Sequence, residues 1–321
     1  MGQFRQKRGG GILVLTALSL GILLSAASLA VDYGYAVLMR ERLQRAVDAA
    51  ALSGAMELAM GHPQTAADRA VQMGNENLEA SYAVRFPASN RCHVDGEKAL
   101  RTFFAVFLGK DTILVRAHAE AIASPVSEVQ GLRPFAIVPP EGGFTYGVTY
   151  VIKYGPGPGS GAYHGNFNAV ALDPTDRGAK DYLQNIKYGS DGWIRIGSEI
   201  STDDDWIYTE PGNMAGPTRE GVNYLVGQDS HDWDYYQSMP GIETSSRLIT
   251  IPVIESMADI NGRELVHVIG FARVFLENAV GTGNDVDIYA RFVKMATPNS
   301  RTARNVPDYG AYGIRLVVPE P

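Results

Sequence analysis

The sequence predicts an α+β chain. A single N-terminal transmembrane helix continues into a long helix packed on a small sheet, and a mainly antiparallel β sandwich or barrel domain follows. Three observations predict this. Gly11–Val31 runs for 21 residues without a charge, and helix-compatible patterning continues beyond it with no proline before Pro63. Alternating apolar and polar runs then read as strands up to residue 124. From residue 132 onward, glycine and proline punctuate short β-branched and aromatic runs, the texture of an antiparallel sheet.

Residues 1–10 form a basic N-terminus carrying Arg5, Lys7 and Arg8. Residues 11–31 form the span. At about 1.5 Å per residue they reach roughly 31 Å, which matches the hydrocarbon core of a bilayer. The basic cluster adjoins the span, whereas Arg40, Arg42 and Arg45 follow at a distance. That asymmetry predicts a single-pass protein of the cell (inner) membrane, with its N-terminus cytoplasmic and its C-terminal body extracellular or periplasmic. Ser28-Leu29-Ala30 also reads as a signal-cleavage site, so the alternative is a secreted chain beginning at Val31. Val37, Leu38, Leu43, Val47, Leu52, Met56 and Leu58 carry the helical pattern on to near Gly61, which favours a retained anchor.

On the exported part of this helix Ala46, Ala50 and Gly54 recur every four residues, with Ala49 and Ser53 beside them. Small residues at that spacing let a second helix approach closely. The same stripe also suits an ordinary core face. Ala30-Val31-Asp32-Tyr33-Gly34, and then Arg42-Leu43-Gln44-Arg45-Ala46-Val47-Asp48-Ala49-Ala50-Ala51-Leu52-Ser53-Gly54-Ala55, give the segment a specific character. On these residues the stretch from Gly11 to Met60 resembles the N-terminal module of the Tad/Flp pilus-assembly TadE/TadG-like family.

The resemblance implies a membrane-anchored, non-enzymatic structural or assembly component, TadG-like or minor-pilin-like, of a Tad/Flp-type pilus or secretion apparatus. It would serve adhesion or pilus biogenesis. Its partners would be the lipid bilayer and other pilin-like or Tad apparatus subunits. The residues expected to carry helix packing and assembly are Asp32, Leu43, Gln44, Ala46, Asp48, Ala50 and Gly54. Asp32 would lie at the outer membrane boundary, and Gln44 and Asp48 would make polar contacts beside the small-residue seam. Type IV prepilins carry Glu at the fifth mature position. Cuts after Gly9, Gly10 or Gly11 would place Val14, Leu15 or Thr16 there, so prepilin-type processing is not expected.

Residues 32–124 are expected to form a pilin-like long helix with a small sheet. Tyr82–Phe86 and Thr112–Ala123 read as its strands, and Lys98–Gly109 as a short amphipathic helix. Residues 125–131 read as a linker, and 132–321 as the exported β-rich domain. In that domain strands are expected in Tyr146–Tyr154, Leu248–Ile254, Glu264–Leu276, Val286–Met295 and Ile314–Val318. The one clear helical pattern lies in Arg177–Lys187.

Composition narrows the function classes. The net charge of -7 lacks the concentrated cationic face that nucleic acid requires, so no nucleic-acid partner is expected. The single cysteine, Cys92, forms no internal disulfide. Gly155–Gly161 lacks the Lys-Ser/Thr of a phosphate loop and no helix follows it. His62, His93, His118, His164, His231 and His267 show no metal-ligand spacing. Two acidic clusters, Asp203-Asp204-Asp205 and Asp229-Ser-His231-Asp232-Trp-Asp234, have the hard oxygens that Ca²⁺ prefers, without the EF-hand spacing. Trp206, Trp233, Tyr235 and Tyr236 beside these acids suit either a binding surface or a core. No catalytic set, cofactor or resident metal is expected. The rival functions are a secreted surface- or carbohydrate-binding module and, less favoured, a secreted hydrolase.

Overall fold

The computed structural model describes residues 9–155, 167–173, 175, 177–196, 205–237, 245–303 and 305–318, without the side chains of residues 9, 10, 24, 27, 28, 107 and 108. Arg5, Lys7 and Arg8, residues 156–161 of the glycine loop, His164, and Asp203 with Asp204 lie outside the described residues. The chain divides into two compact units. One comprises Met1–Gly54, Gln64–Ala121 and Leu316–Pro321; the other comprises Ala55–Pro63 and Ile122–Arg315.

The first unit opens with α1 (Gly9–Ala59), a single helix of 51 residues whose last five belong to the second unit. Alanine, leucine and the absence of proline sustain it. It ends where expected: Gly61 takes a left-handed φ of 84°, its N–H donates to the Leu58 carbonyl, and the His62 N–H donates to Glu57. Pro63 then forbids continuation. The helix changes character along its length. Every described side chain from Gly11 to Val31 is exposed, and Asp32 is the first buried residue. Among the described residues no helix is long and apolar enough to cross a membrane. Residues 24, 27 and 28, inside the uncharged run, are not among those whose side chains are described.

After α2 (Ala66–Asn77) come β1 (Ser81–Ala88) and β2 (Arg91–Arg101), antiparallel with Tyr82 opposite Gly96 and Val84 opposite Val94. A 3₁₀ turn at Ala105–Leu108 leads into β3 (Thr112–Gln130), which pairs with β2. This corrects the reading of Lys98–Gly109 as a helix. Lys98–Arg101 extend β2 with Leu100 turned inward, and only one short turn remains helical. Residues 125–130, expected as linker, form the second half of β3 in the second unit. Val126 and Val129 are buried there, and Pro125, which has no N–H to offer a ladder, precedes the residues that pair with later strands.

The second unit continues with β4 (Thr149–Lys153), β5 (Val170–Ala171), α3 (Ala179–Tyr188), β6 (Trp193–Arg195) and β7 (Trp206–Thr209). Next come α4 (Ala215–Gln228), α5 (Trp233–Gln237), β8 (Leu248–Ile254) and β9 (Leu265–Val280). It closes with β10 (Asp287–Val293), β11 (Met295–Ala296), β12 (Ser300–Thr302) and β13 (Ala311–Val317). Among the described residues the strands form two mostly antiparallel sheets, so the α+β class holds. One runs β4-β10-β9-β7-β5 with β8 also on β9. In the other, β13, β6 and β12 all join β3, and β11 lies parallel to β13. Helices α4 and α5 escape the sequence pattern, since Gly216, Pro217, Gly221 and Gly227 break up the helical texture of α4. Gly221 is nevertheless required, because a Cβ there would stand 2.5 Å from Ile186 of α3. Phe135, Phe144 and Phe292 centre one core of this unit, with Phe144 and Phe292 stacked at 4.0 Å; Leu132, Ile254 and Phe271 centre another.

Candidate functional site

In the first unit the part of α1 from Asp32 to Gly54 lies in a seat made by this chain's own residues. Leu43, Ala46, Val47 and Ala50 have no exposed surface, and Gly54 is also buried. The partners are small by necessity. A Cβ on Gly96 of β2 would stand 2.6 Å from Val47 Cγ1 and 3.1 Å from Leu43 Cδ1. A Cβ on Gly54 would collide with Cys92 Sγ and stand 3.2 Å from Ala70 of α2. The stripe Ala46/Ala50/Gly54 is therefore enclosed by the chain itself. Gln44 adds a polar tie, donating 2.9 Å bonds to the His118 carbonyl of β3 and to Asp48 Oδ1.

Asp32 closes the lower end of the seat. Its Oδ1 accepts the Phe103 N–H at 2.7 Å, and its Oδ2 accepts the N–H groups of Phe104 and Ala105 at 3.0 and 2.7 Å. These are the unpaired donors that open the 3₁₀ turn, whose own N-cap position supplies no side-chain acceptor. Burial acts to raise the Asp32 carboxyl, but the three N–H donors outweigh it and hold the group below its ordinary value. Tyr35 meets Phe103 edge-on at 5.4 Å. The loop is closed on itself: Thr102 N–H donates to Asp111, Thr102 Oγ1 to Lys110, and Lys110 N–H to Ala105. A sequence reading places Asp32 at the helix exit, yet it misses Phe103–Ala105, because the contact spans 71 to 73 residues. Gly96 is missed as well, although a glycine inside a strand signals close approach by a neighbour.

Two further polar clusters are held together by this chain's own groups. Glu120 of β3 accepts from Arg91 at 2.9 Å and lies 3.3 Å from His93 Nδ1. His93 Nε2 in turn lies beside Arg85 and Asp95. A shallow cavity of about 340 Å³ adjoins them, lined by Arg85, Phe86, Pro87, Arg91, His93 and Glu120. In the second unit Asp229 accepts from Ser245 Oγ, from the Tyr236 hydroxyl, and from the His231 N–H at 3.1 Å. Burial pushes this carboxyl up, but those donors prevail and bring it to about 2. With its oxygens so engaged, Asp229 is a structural hub of this segment. Asp232 caps α5 through the Tyr235 N–H at 3.0 Å, and Trp233 and Tyr236 pack on Phe275. Among the described residues no group of three His, Cys, Asp or Glu side chains is placed to hold a metal ion.

Cys92 reports on the seat. Burial first, and then the charge of Glu120, push its thiol up to about 12 from its ordinary value near 9. At pH 8 a folded chain is therefore expected to leave an aromatic disulfide reagent unconsumed, and a denatured chain to consume one equivalent. Rapid labelling of the native protein would contradict the burial. The linked stability follows the same sign. The unfolded thiol ionises above pH 9 while the folded one stays protonated, so stability falls as pH rises from about 9 toward 12.

Residues 10–57 match the Tad family, described as Flp pilus-assembly TadE/G-like, and this domain spans almost all of α1 with its seven expected packing residues. A β-rich region follows it. No curated protein and no solved structure matches the chain.

Proposed function

We propose, taking the Tad domain as the premise, that the chain is a membrane-anchored, non-enzymatic structural component of a Tad/Flp-type pilus or secretion apparatus. The domain points to a Flp pilus-assembly TadE/G-like component, and Tad proteins belong to the cell envelope. The observation that carries the finer reading is the change in α1 at Asp32. Before it, uncharged apolar residues such as Ile12, Leu15, Leu20 and Leu23 stand exposed with no protein cover; after it, the helix is seated. A helix apolar on all sides belongs in lipid. Gly11–Val31 then crosses the membrane, Arg5, Lys7 and Arg8 keep the N-terminus in the cytoplasm, and the body is exported.

In this reading Asp32, Leu43, Gln44, Ala46, Asp48, Ala50 and Gly54 fasten α1 to the first unit directly beyond the anchor. Other apparatus subunits would meet α1 on what the seat leaves exposed, including Val37, Leu38 and Glu41. The test is the intact mass of a C-terminally tagged chain from fractionated cells. A membrane-bound species that retains residues 1–30 is expected. A soluble species beginning at Val31 would replace this reading with a secreted binding module.

A further inference from the structure

The loop that Asp32 holds is made of residues that a water-facing loop avoids. Phe103–Leu108 is apolar throughout, and Phe103, Phe104 and Val106 are 55%, 43% and 41% exposed. Leu114, just inside β3, and Tyr33 on α1 are 50% and 70% exposed. Exposed Arg101 and Lys110 bracket the loop in sequence. The loop's position is fixed relative to the helix, since three backbone N–H groups are bonded to the residue that directly follows the uncharged run Gly11–Val31.

We propose that Phe103–Val106 is a second membrane contact, lying in the outer headgroup–acyl boundary of the bilayer that α1 crosses. The inference rests on the membrane reading above. The occupant is lipid because the apolar loop is continuous with the apolar helix surface at the point where the helix gains its first charge. Aromatic rings favour that depth, and flanking cations face anionic headgroups. Asp32, buried with both its oxygens accepting from the loop, presents no bare carboxylate to the interface. A helix alone can spin about its axis in a bilayer, but a helix with a side loop in the interface has one azimuth and a narrow range of depth.

The test uses the full chain in vesicles of equal parts phosphatidylcholine and phosphatidylglycerol. An environment-sensitive dye is attached at Phe104→Cys, at Val106→Cys, or at Leu20→Cys near the middle of the span; native Cys92 is buried and stays dark. Spin-labelled lipids then quench from a shallow or a deep position. Dye at 104 and at 106 is expected to be quenched roughly twofold or more better by the shallow label, and dye at 20 by the deep one. Quenching at 20 with none at 104 or 106 overturns this inference alone and assigns the loop to a protein partner. No quenching at 20 overturns the membrane reading, and this inference with it.

Discussion

Replacing Arg247 with alanine is expected to cost about 3–5 kcal/mol. The buried guanidinium donates to three carbonyls, those of Leu276 at 2.8 Å, Glu277 at 2.7 Å and His231 at 2.5 Å, and it stacks 4.5 Å over Phe275. Two of those carbonyls lie on β9, and the third lies between α4 and α5. One side chain thus ties the sheet to the segment organised by Asp229. Alanine leaves three acceptors without a donor in a site too enclosed for ready hydration, and it strips the face of Phe275. The unfolding midpoint would fall by roughly 10 °C. Arg247→Lys keeps the charge but not the three-way fork, and its loss is expected to be smaller. A loss under about 1 kcal/mol for alanine would mean that water reaches the carbonyls and the fork is dispensable.

The second large effect lies in the seat of α1. Ala50→Leu forces three extra carbons into a position with no exposed surface, and overpacking of this kind costs about 1–3 kcal/mol. Because Cys92 lies against Gly54, one turn along, its thiol reads the opening. Labelling is expected to accelerate by about 5- to 150-fold relative to the parent, while Arg45→Leu on the exposed side of the same helix leaves it near unity. Unchanged labelling in Ala50→Leu would show that the seat tolerates bulk, and the stripe would then be free for an incoming helix.

These two cases mark how far the sequence could be read. The stripe Ala46/Ala50/Gly54 announces that a backbone comes close, but spacing carries no information on whose backbone it is. Gly96 and Cys92 answer that only after β2 has been placed. Helix α1 was fully legible because its signals are local: no proline, a long apolar run, and a Gly-His-Pro stop. Short β-branched runs such as Leu248–Ile254, buried at every position, were legible for the same reason. The bonds from Asp32 to Phe103–Ala105, and the fork of Arg247, depend on contacts across tens of residues and leave no periodic trace. Where two local signals conflict, tertiary pairing decides. Lys98–Arg101 has the composition of a helix start, yet it continues β2 beyond the hairpin pairing that ends at Glu97 opposite Ser81, in a strand that lies between β1 and β3. Likewise Pro125 suggests a break, although β3 passes through it once Val126 and Val129 have a core to enter.

The way the two units share the chain has a consequence for limited proteolysis. The first unit is built from Met1–Gly54, Gln64–Ala121 and Leu316–Pro321, and the second takes Ala55–Pro63 from the end of α1 together with Ile122–Arg315. No single proteolytic cut can release either unit whole.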